Sequence, residues 1–317
     1  MPEFDKFIPQ VTADGSFTFF SQEFGESFHS HFGAKQESYF KFVEPTQLAQ
    51  AAERPVVRLL DICYGLGYNT AAALQTIWAI NPSCHVELIG LELNPAVPQA
   101  AIANHLFDNW NYEYTDILTR LAFEGEIQTQ RLNAKLMIGD ARISIAKLNQ
   151  SGFQADAIFL DPFSPPQCPQ LWTVEFLKQV SLCLHKYGLL ATYSCAAAVR
   201  TALILAGLQI GSTPPVGRRS PGTVAAYSRD EGGRKINDYS LSSELSPLSL
   251  EEQEHLQTRA AIPYRDPQLK DSASVIITRR QQEQQSCSLE PTSHWRKRWL
   301  LNNQPNDFVS RNSSLSG

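Results

Sequence analysis

Between residues 56 and 206, short apolar runs alternate with longer stretches whose apolar residues recur at helical spacing. Residues 56–61, 86–91, 135–139, 156–161 and 188–193 predict strands, and 69–80, 95–106, 172–185 and 196–206 predict helices. A strand buried on both faces reads as a continuous apolar run, so this alternation implies a mostly parallel sheet covered by helices on both sides. Residues 208–228 predict two more strands, interrupted around Pro214-Pro215 and Gly217-Arg218-Arg219. The first 55 residues lack this rhythm but are rich in aromatics, among them Phe17, Phe19, Phe24, Phe28, Phe32 and Phe42. They predict a segment packed on the core, not a free tail. Beyond about residue 230 the composition shifts. Residues 246–261 predict a helix with an acidic first turn at Glu251-Glu252, 281–285 are Gln-rich, and 302–317 are rich in Asn and Ser. The expected organisation is therefore an N-terminal segment (1–55), a central domain (56–230) and a partly helical C-terminal extension with a flexible tail (231–317).

Composition narrows the class. The chain has 317 residues, 43% hydrophobic and 19% charged, which excludes a mostly disordered protein. Its net charge of −5 argues weakly against a protein that coats nucleic acid non-specifically, and leaves a local basic face open. None of the six cysteines forms a C-x-x-C pair, so neither a zinc ribbon nor a thioredoxin-like site is expected. There is no basic leader followed by an apolar stretch, and no apolar run approaches the roughly 18 residues of a membrane span. The expectation is a soluble cytoplasmic protein without membrane contact.

Candidate chemistry gathers at strand ends, where open α/β sheets bind ligands. Asp61-Ile-Cys-Tyr64-Gly65-Leu-Gly67-Tyr-Asn69-Thr70 places two glycines directly after a strand. They permit a tight turn and close backbone approach to a ligand, or simply a strand-to-helix connection. Thr70 stands where a dinucleotide fingerprint has its third Gly. Glu92, ending the next strand, is placed to accept ribose hydroxyls, although such an acid can also be mere surface. Asp140, followed by Ala141, is placed to accept from an exocyclic amine such as adenine's, to cap a helix, or to do both at once. Asp161-Pro-Phe163-Ser-Pro-Pro166 puts a carboxylate beside a proline-stiffened aromatic loop. His29-Ser30-His31 could be half a metal site, but no further ligands are evident, and a polar loop near the entrance is the simpler reading. A glycine turn, a ribose acid, an adenine acid and a fourth-strand acid describe a site for a nucleoside without pyrophosphate, which S-adenosylmethionine fits.

At these motifs the sequence resembles the methyltransferase domain of the MnmC family. The similarity runs from about Asp14 to Tyr227. It includes Gly25-Glu26 with His29-Ser30, the turn from Asp61 to Thr70, Phe159-Leu-Asp161-x-Phe163-x-Pro165, Pro169-x-Leu171-Trp172-Thr173, Ala191-Thr-Tyr193 and Val199-Arg200. It implies a Rossmann-like class I S-adenosylmethionine-dependent fold and methylation of the 5-aminomethyl group on wobble uridine of tRNA, with or without a 2-thio group. The implied cofactor is S-adenosylmethionine, with no flavin and no metal, since no length for the flavin oxidase domain follows. The implied cofactor residues are Asp61, Tyr64, Gly65, Gly67, Asn69, Glu92, Asp140, Ala141 and Asp161. Asp161 is the candidate base, and His29, Ser30, Phe163, Arg218 and Arg219 are candidate substrate contacts. Cys63 and Pro162 stand where the family pattern has Gly.

Transfer from a sulfonium is an in-line displacement that needs a neutral amine, so Asp161 is expected to orient the amine and accept its proton. Phe163 could face the cation. Contact with tRNA is expected through Arg218-Arg219, Arg234-Lys235, Arg279-Arg280 or Arg296-Lys297-Arg298, the last between Trp295 and Trp299. Two other readings stay open: a spermidine-synthase-like aminopropyltransferase, and a non-catalytic RNA-binding protein on a methyltransferase fold. The sequence leaves the oligomeric state undetermined.

Overall fold

The computed structural model describes residues 7–216, 220–228 and 245–302. Its central sheet contains β1 (Val56–Ile62), β2 (His85–Glu92), β3 (Glu126–Gln128), β4 (Leu132–Ile138), β5 (Ala155–Leu160), β6 (Leu184–Thr192), β7 (Leu208–Thr213) and β8 (Gly222–Tyr227). They lie in the order β7-β8-β6-β5-β1-β2-β4-β3. Strands β6, β5, β1, β2 and β4 are parallel. β8 runs antiparallel to both β6 and β7, and β3 antiparallel to β4. This is the class I methyltransferase architecture. The chain builds outward from β1 in one direction as far as β4, then crosses back to β5 on the other side. That reversal opens a crevice at the carboxyl ends of β1 and β5.

Side-chain alternation along the strands feeds two cores. Leu59 and Phe159 pack on one face with the helices Tyr68–Ile80, Ala96–Ala103 and Tyr112–Glu124. Leu60 and Ile158 pack on the other with Ala141–Ser151, Val174–Leu182 and Ala197–Leu205. The aromatic N-terminal segment joins the first core through Phe19 and Phe42, whose ring meets Phe159 at 5.6 Å. Lys41 is buried, and its ammonium donates to the carbonyls of Pro214 and Ser220.

The described C-terminal residues cover the second face. Tyr264 and Ile276 enter its core. Glu252 closes a capping box with Ser249 and receives the buried Arg200 guanidinium at 2.7 Å. Asp266, fully buried, accepts from Arg142 and from the backbone of Lys270 and Asp271.

Some element limits differ from expectation. The helix expected over 172–185 is a 3-10 turn followed by Val174–Leu182, because β6 already begins at Leu184. The helix expected over 246–261 is only Leu250–His255 plus a 3-10 turn, Arg259–Ala261. Helix Tyr112–Glu124 and the edge strand β3 had no counterpart in the sequence reading. The helix Ala273–Ser286 buries only Ile276, so it shows no apolar stripe. Arg279 and Arg280 hold it in place by donating to the carbonyls of Arg265, Ile262 and Ala260.

Candidate active site

A cavity of about 870 Å³ opens at the carboxyl ends of β1, β2 and β5. Its floor is the turn after β1. Cys63 holds a left-handed φ of 67°, a conformation that favours glycine. Gly67 has a φ of 100°, and a Cβ there would stand 2.9 Å from the Tyr64 hydroxyl. Glycine at 67 is therefore required both by the backbone and by the buried Tyr64 ring beneath it. Burial, followed by the proximity of Cys168, Glu92 and Asp161, pushes the Cys63 thiol well above its usual range.

Two acids support the turn. Glu92, at the end of β2, accepts from the Gly65 N–H at 2.8 Å and the Asn94 N–H at 2.9 Å. Burial raises its pKa against these hydrogen bonds. Asp61 is fully buried and accepts from the Thr70 hydroxyl at 2.8 Å. Burial pushes it up to about 7, with Thr70 opposing and Glu92 adding to the rise. Asp61 thus acts from beneath the turn, not from the cavity wall.

Asp161 follows β5 and sits beside Cys63, because Leu160 pairs in register with Ile62. Its carboxylate accepts from the Asn69 amide at 2.9 Å. The loop behind it is fastened at several points. Tyr193 donates to the Pro162 carbonyl at 2.9 Å, and the Trp172 indole to the Phe163 carbonyl at 2.8 Å. The Glu26 carboxylate accepts both the backbone N–H and the hydroxyl of Ser164. Phe163 stacks on Phe24 at 4.5 Å and meets the Phe28 edge at 5.0 Å. An aromatic wall therefore stands beside the carboxylate, half of it supplied by the N-terminal segment.

Of the residues singled out in the sequence, His29, Ser30, Tyr64, Gly65, Asn69, Glu92, Asp161 and Phe163 line this one cavity. Asp61, Gly67, Asp140 and Ala141 do not. Asp140 caps the helix Ala141–Ser151 and grips the Arg142 guanidinium. Burial alone would raise its pKa, but the hydrogen bonds from Arg142 hold it below the usual carboxylate range. Arg218 and Arg219 lie outside the described residues, as do Arg234 and Lys235. Arg279 and Arg280 serve the internal contacts above. Trp295 is buried, stacked on His255 at 4.8 Å, while Arg296, Lys297 and Arg298 are exposed, Arg298 being paired with Glu254 and Glu290. The sequence reading missed Phe24, Phe28, Glu26 and Glu37 as site residues. The aromatic density of the first 55 residues was the available signal for the two phenylalanines.

The donor set fits S-adenosylmethionine. The Ser30 and Tyr64 hydroxyls and the Asn69 carbonyl are buried without a hydrogen-bond partner, and all three residues line the cavity. No Lys or Arg is among the described lining residues, whereas Glu92, Asp161, Glu26 and Glu37 are. Such a wall suits a cation and a nucleoside, not a phosphate. Among the described residues no group of three or more His, Cys, Asp or Glu side chains could hold a metal ion, and no helix is long and apolar enough to cross a membrane.

Comparison with known proteins agrees with this chemistry. Residues 104–228 match a family model described as S-adenosyl-L-methionine-dependent methyltransferase. The crystal structure of MnmC2 from Aquifex aeolicus superposes with a TM-score of 0.74 at 32% identity, covering 90% of this chain and 87% of that one. An uncharacterized protein of Methanocaldococcus jannaschii is 28% identical over 86% of this chain and 71% of its own length. The tRNA 5-methylaminomethyl-2-thiouridine biosynthesis bifunctional protein MnmC of Paracidovorax citrulli is 33% identical over 62% of this chain. This chain spans about a third (32%) of that bifunctional relative. The chain belongs to the MnmC methyltransferase family, and it is an S-adenosyl-L-methionine-dependent methyltransferase.

Proposed function

We propose that the chain methylates the 5-aminomethyl group of wobble uridine in tRNA, giving 5-methylaminomethyluridine with or without the 2-thio group. The observation that carries this reading is Asp161: a carboxylate at the cavity wall, fixed by Asn69, beside the Phe163–Phe24–Phe28 aromatic wall. A flat wall beside an acid suits an amine borne on a planar base. The name of the bifunctional relatives points to the same nucleoside.

S-adenosylmethionine supplies an electrophilic methyl on a sulfonium. Glu92 has the position to accept the ribose hydroxyls, and the glycine turn lets the backbone come close. An alkylamine is mostly protonated at neutral pH, with a pKa near roughly 10. Asp161 takes the proton that frees the amine's lone pair and holds the amine in line, so that as the C–N bond forms the methyl–sulfur bond would break and S-adenosylhomocysteine would leave. Pro162 and the bonds from Tyr193, Trp172 and Glu26 keep that carboxylate from drifting. Asp140 and Ala141 contribute by shaping the helix start beyond the cavity. Under this reading the protein acts on tRNA in the cytoplasm with S-adenosylmethionine as its methyl donor.

The test offers methyl-labelled S-adenosylmethionine with three acceptors: tRNA bearing 5-aminomethyluridine, the same tRNA with unmodified uridine, and putrescine. Label is expected only with the first. Equal labelling of the unmodified tRNA would refute the 5-aminomethyl group as the acceptor.

A further inference from the structure

The mouth of the cavity carries aromatic faces that neither the glycine turn nor the Asp161 loop uses. Phe20 and Phe32 line the cavity and are 43% and 49% exposed. Among the described residues neither ring meets another aromatic ring, whereas the half-buried Phe24 and Phe28 of the same stretch both meet Phe163. Both exposed rings stand on fixed backbone. Phe20 pairs with Ser27, and Ser21 with Glu26, in a short antiparallel hairpin. Glu26 ties that hairpin to Ser164 of the Asp161 loop. Phe32 lies between His31, whose carbonyl accepts from the Ala13 N–H at 2.8 Å, and Gly33, whose N–H donates to the Ser30 carbonyl. Ring faces held beside one opening, with little freedom left to lose, suit a flat partner.

The acceptor decides which flat partner. A uridine whose amine reaches Asp161 lies against the Phe163–Phe24–Phe28 wall, and its neighbours in the RNA chain leave through the mouth. No Lys or Arg is among the described lining residues, so the RNA phosphates stay outside the cavity. The exposed Lys35 stands three positions beyond Phe32, on the helix Ala34–Ser38, and puts a cation on the same segment for them. Drawing one base out of a loop costs its stacking on the next base, and an aromatic face at the mouth returns that stacking.

We propose that Phe20 and Phe32 form a stacking platform for an unpaired base adjoining the modified uridine. The inference rests on the tRNA reading above. Stacking on a ring face tolerates any base, because every base has such a face. The platform therefore selects a single-stranded loop without reading its sequence, and it gives a free nucleoside or a polyamine nothing to hold.

The experiment measures Kd for an anticodon stem-loop bearing 5-aminomethyluridine, and for the same stem-loop with the bases on both sides of that uridine removed. The proteins are the full chain, the double variant Phe20→Ala, Phe32→Ala and the double variant Phe20→Trp, Phe32→Trp. The unmutated chain is expected to bind the stem-loop lacking both bases about tenfold more weakly, the scale of one lost base–aromatic stack. The alanine variant is expected to lose about tenfold on the intact stem-loop and less than about twofold on the other, because both changes remove the same contact. The tryptophan variant keeps the ring faces and is expected to match the unmutated chain. Unchanged affinity for S-adenosylhomocysteine reports an intact fold in each. Equal losses by the alanine variant on both stem-loops, or no loss on either, overturn the platform while leaving the tRNA reading intact. Failure of the unmutated chain to bind either stem-loop overturns the tRNA reading itself, and the platform with it.

Discussion

Single side chains at this site divide between those that meet the reactants and those that hold the floor. Under the proposed function Asp161 is in the first group, with one carboxylate oxygen anchored by Asn69. Asp161→Asn preserves that size and anchor but removes the proton acceptor. S-adenosylhomocysteine affinity is expected to change less than about threefold, while kcat falls about a hundredfold or more. Single-turnover methyl transfer with matched binding isotherms checks this. Asp61 is in the second group. In the unfolded chain it titrates near 3.8, and burial raises it to about 7 in the fold. The folded state therefore holds this proton between pH 4 and 7 while the unfolded state has released it. The resulting stability is complete below pH 3.8 and fades as pH rises through 7, by on the order of 4 kcal/mol. Asp61→Asn keeps an oxygen for Thr70 and removes the titration. Urea midpoints from pH 4.5 to 8 are expected to fall for the parent relative to the variant, and parallel curves would contradict the assignment.

At the scale of elements, the five parallel strands and the helices after β1, β2 and β6 were legible because each of those strands is a short apolar run, and β1, β2, β4 and β5 end at or beside Gly, Asp or Glu. Of the strand-end acids, Glu92 and Asp161 line the crevice, whereas Asp61 and Asp140 do not. Other features were not legible, for physical reasons. Asp140 reads alike as a ligand acid and as a cap, roles that can hold at once, and the structure adds a contact with the Arg142 guanidinium that no local pattern encodes. The N-terminal half of the aromatic wall depends on Glu26 reaching Ser164 across 138 positions, which no local pattern encodes. The C-terminal helix Ala273–Ser286 is polar on nearly all sides, so periodicity had nothing to detect. Its neighbour Leu250–His255 is tied to the sheet by Glu252, which receives the 2%-exposed Arg200 side chain. Glu252→Ala leaves that guanidinium buried and unpaired. The expected cost is about 3 kcal/mol of unfolding free energy, read from denaturant unfolding; a loss below about 1 kcal/mol would show that the pair is not buried in solution.

At the scale of the molecule, the proposed tRNA substrate would meet a protein with a net charge of −5 through a local basic face. Two of the four basic pairs lie outside the described residues, and Arg279 and Arg280 are spent inside the fold. Arg296 and Lys297 are exposed on the helix Thr292–Asn302. Their joint replacement by Ala is expected to lower the slope of log affinity for tRNA against log salt by about 1 to 2, leaving S-adenosylhomocysteine binding intact. An unchanged slope would move the RNA face elsewhere.

The most direct measurement is the identity of the product. The purified chain is incubated with methyl-labelled S-adenosylmethionine and tRNA bearing 5-aminomethyluridine, and the digested nucleosides are separated by mass spectrometry. The account predicts the label in 5-methylaminomethyluridine at the wobble position, lost in Asp161→Asn. Label in any other nucleoside, or none while S-adenosylmethionine still binds, would contradict it.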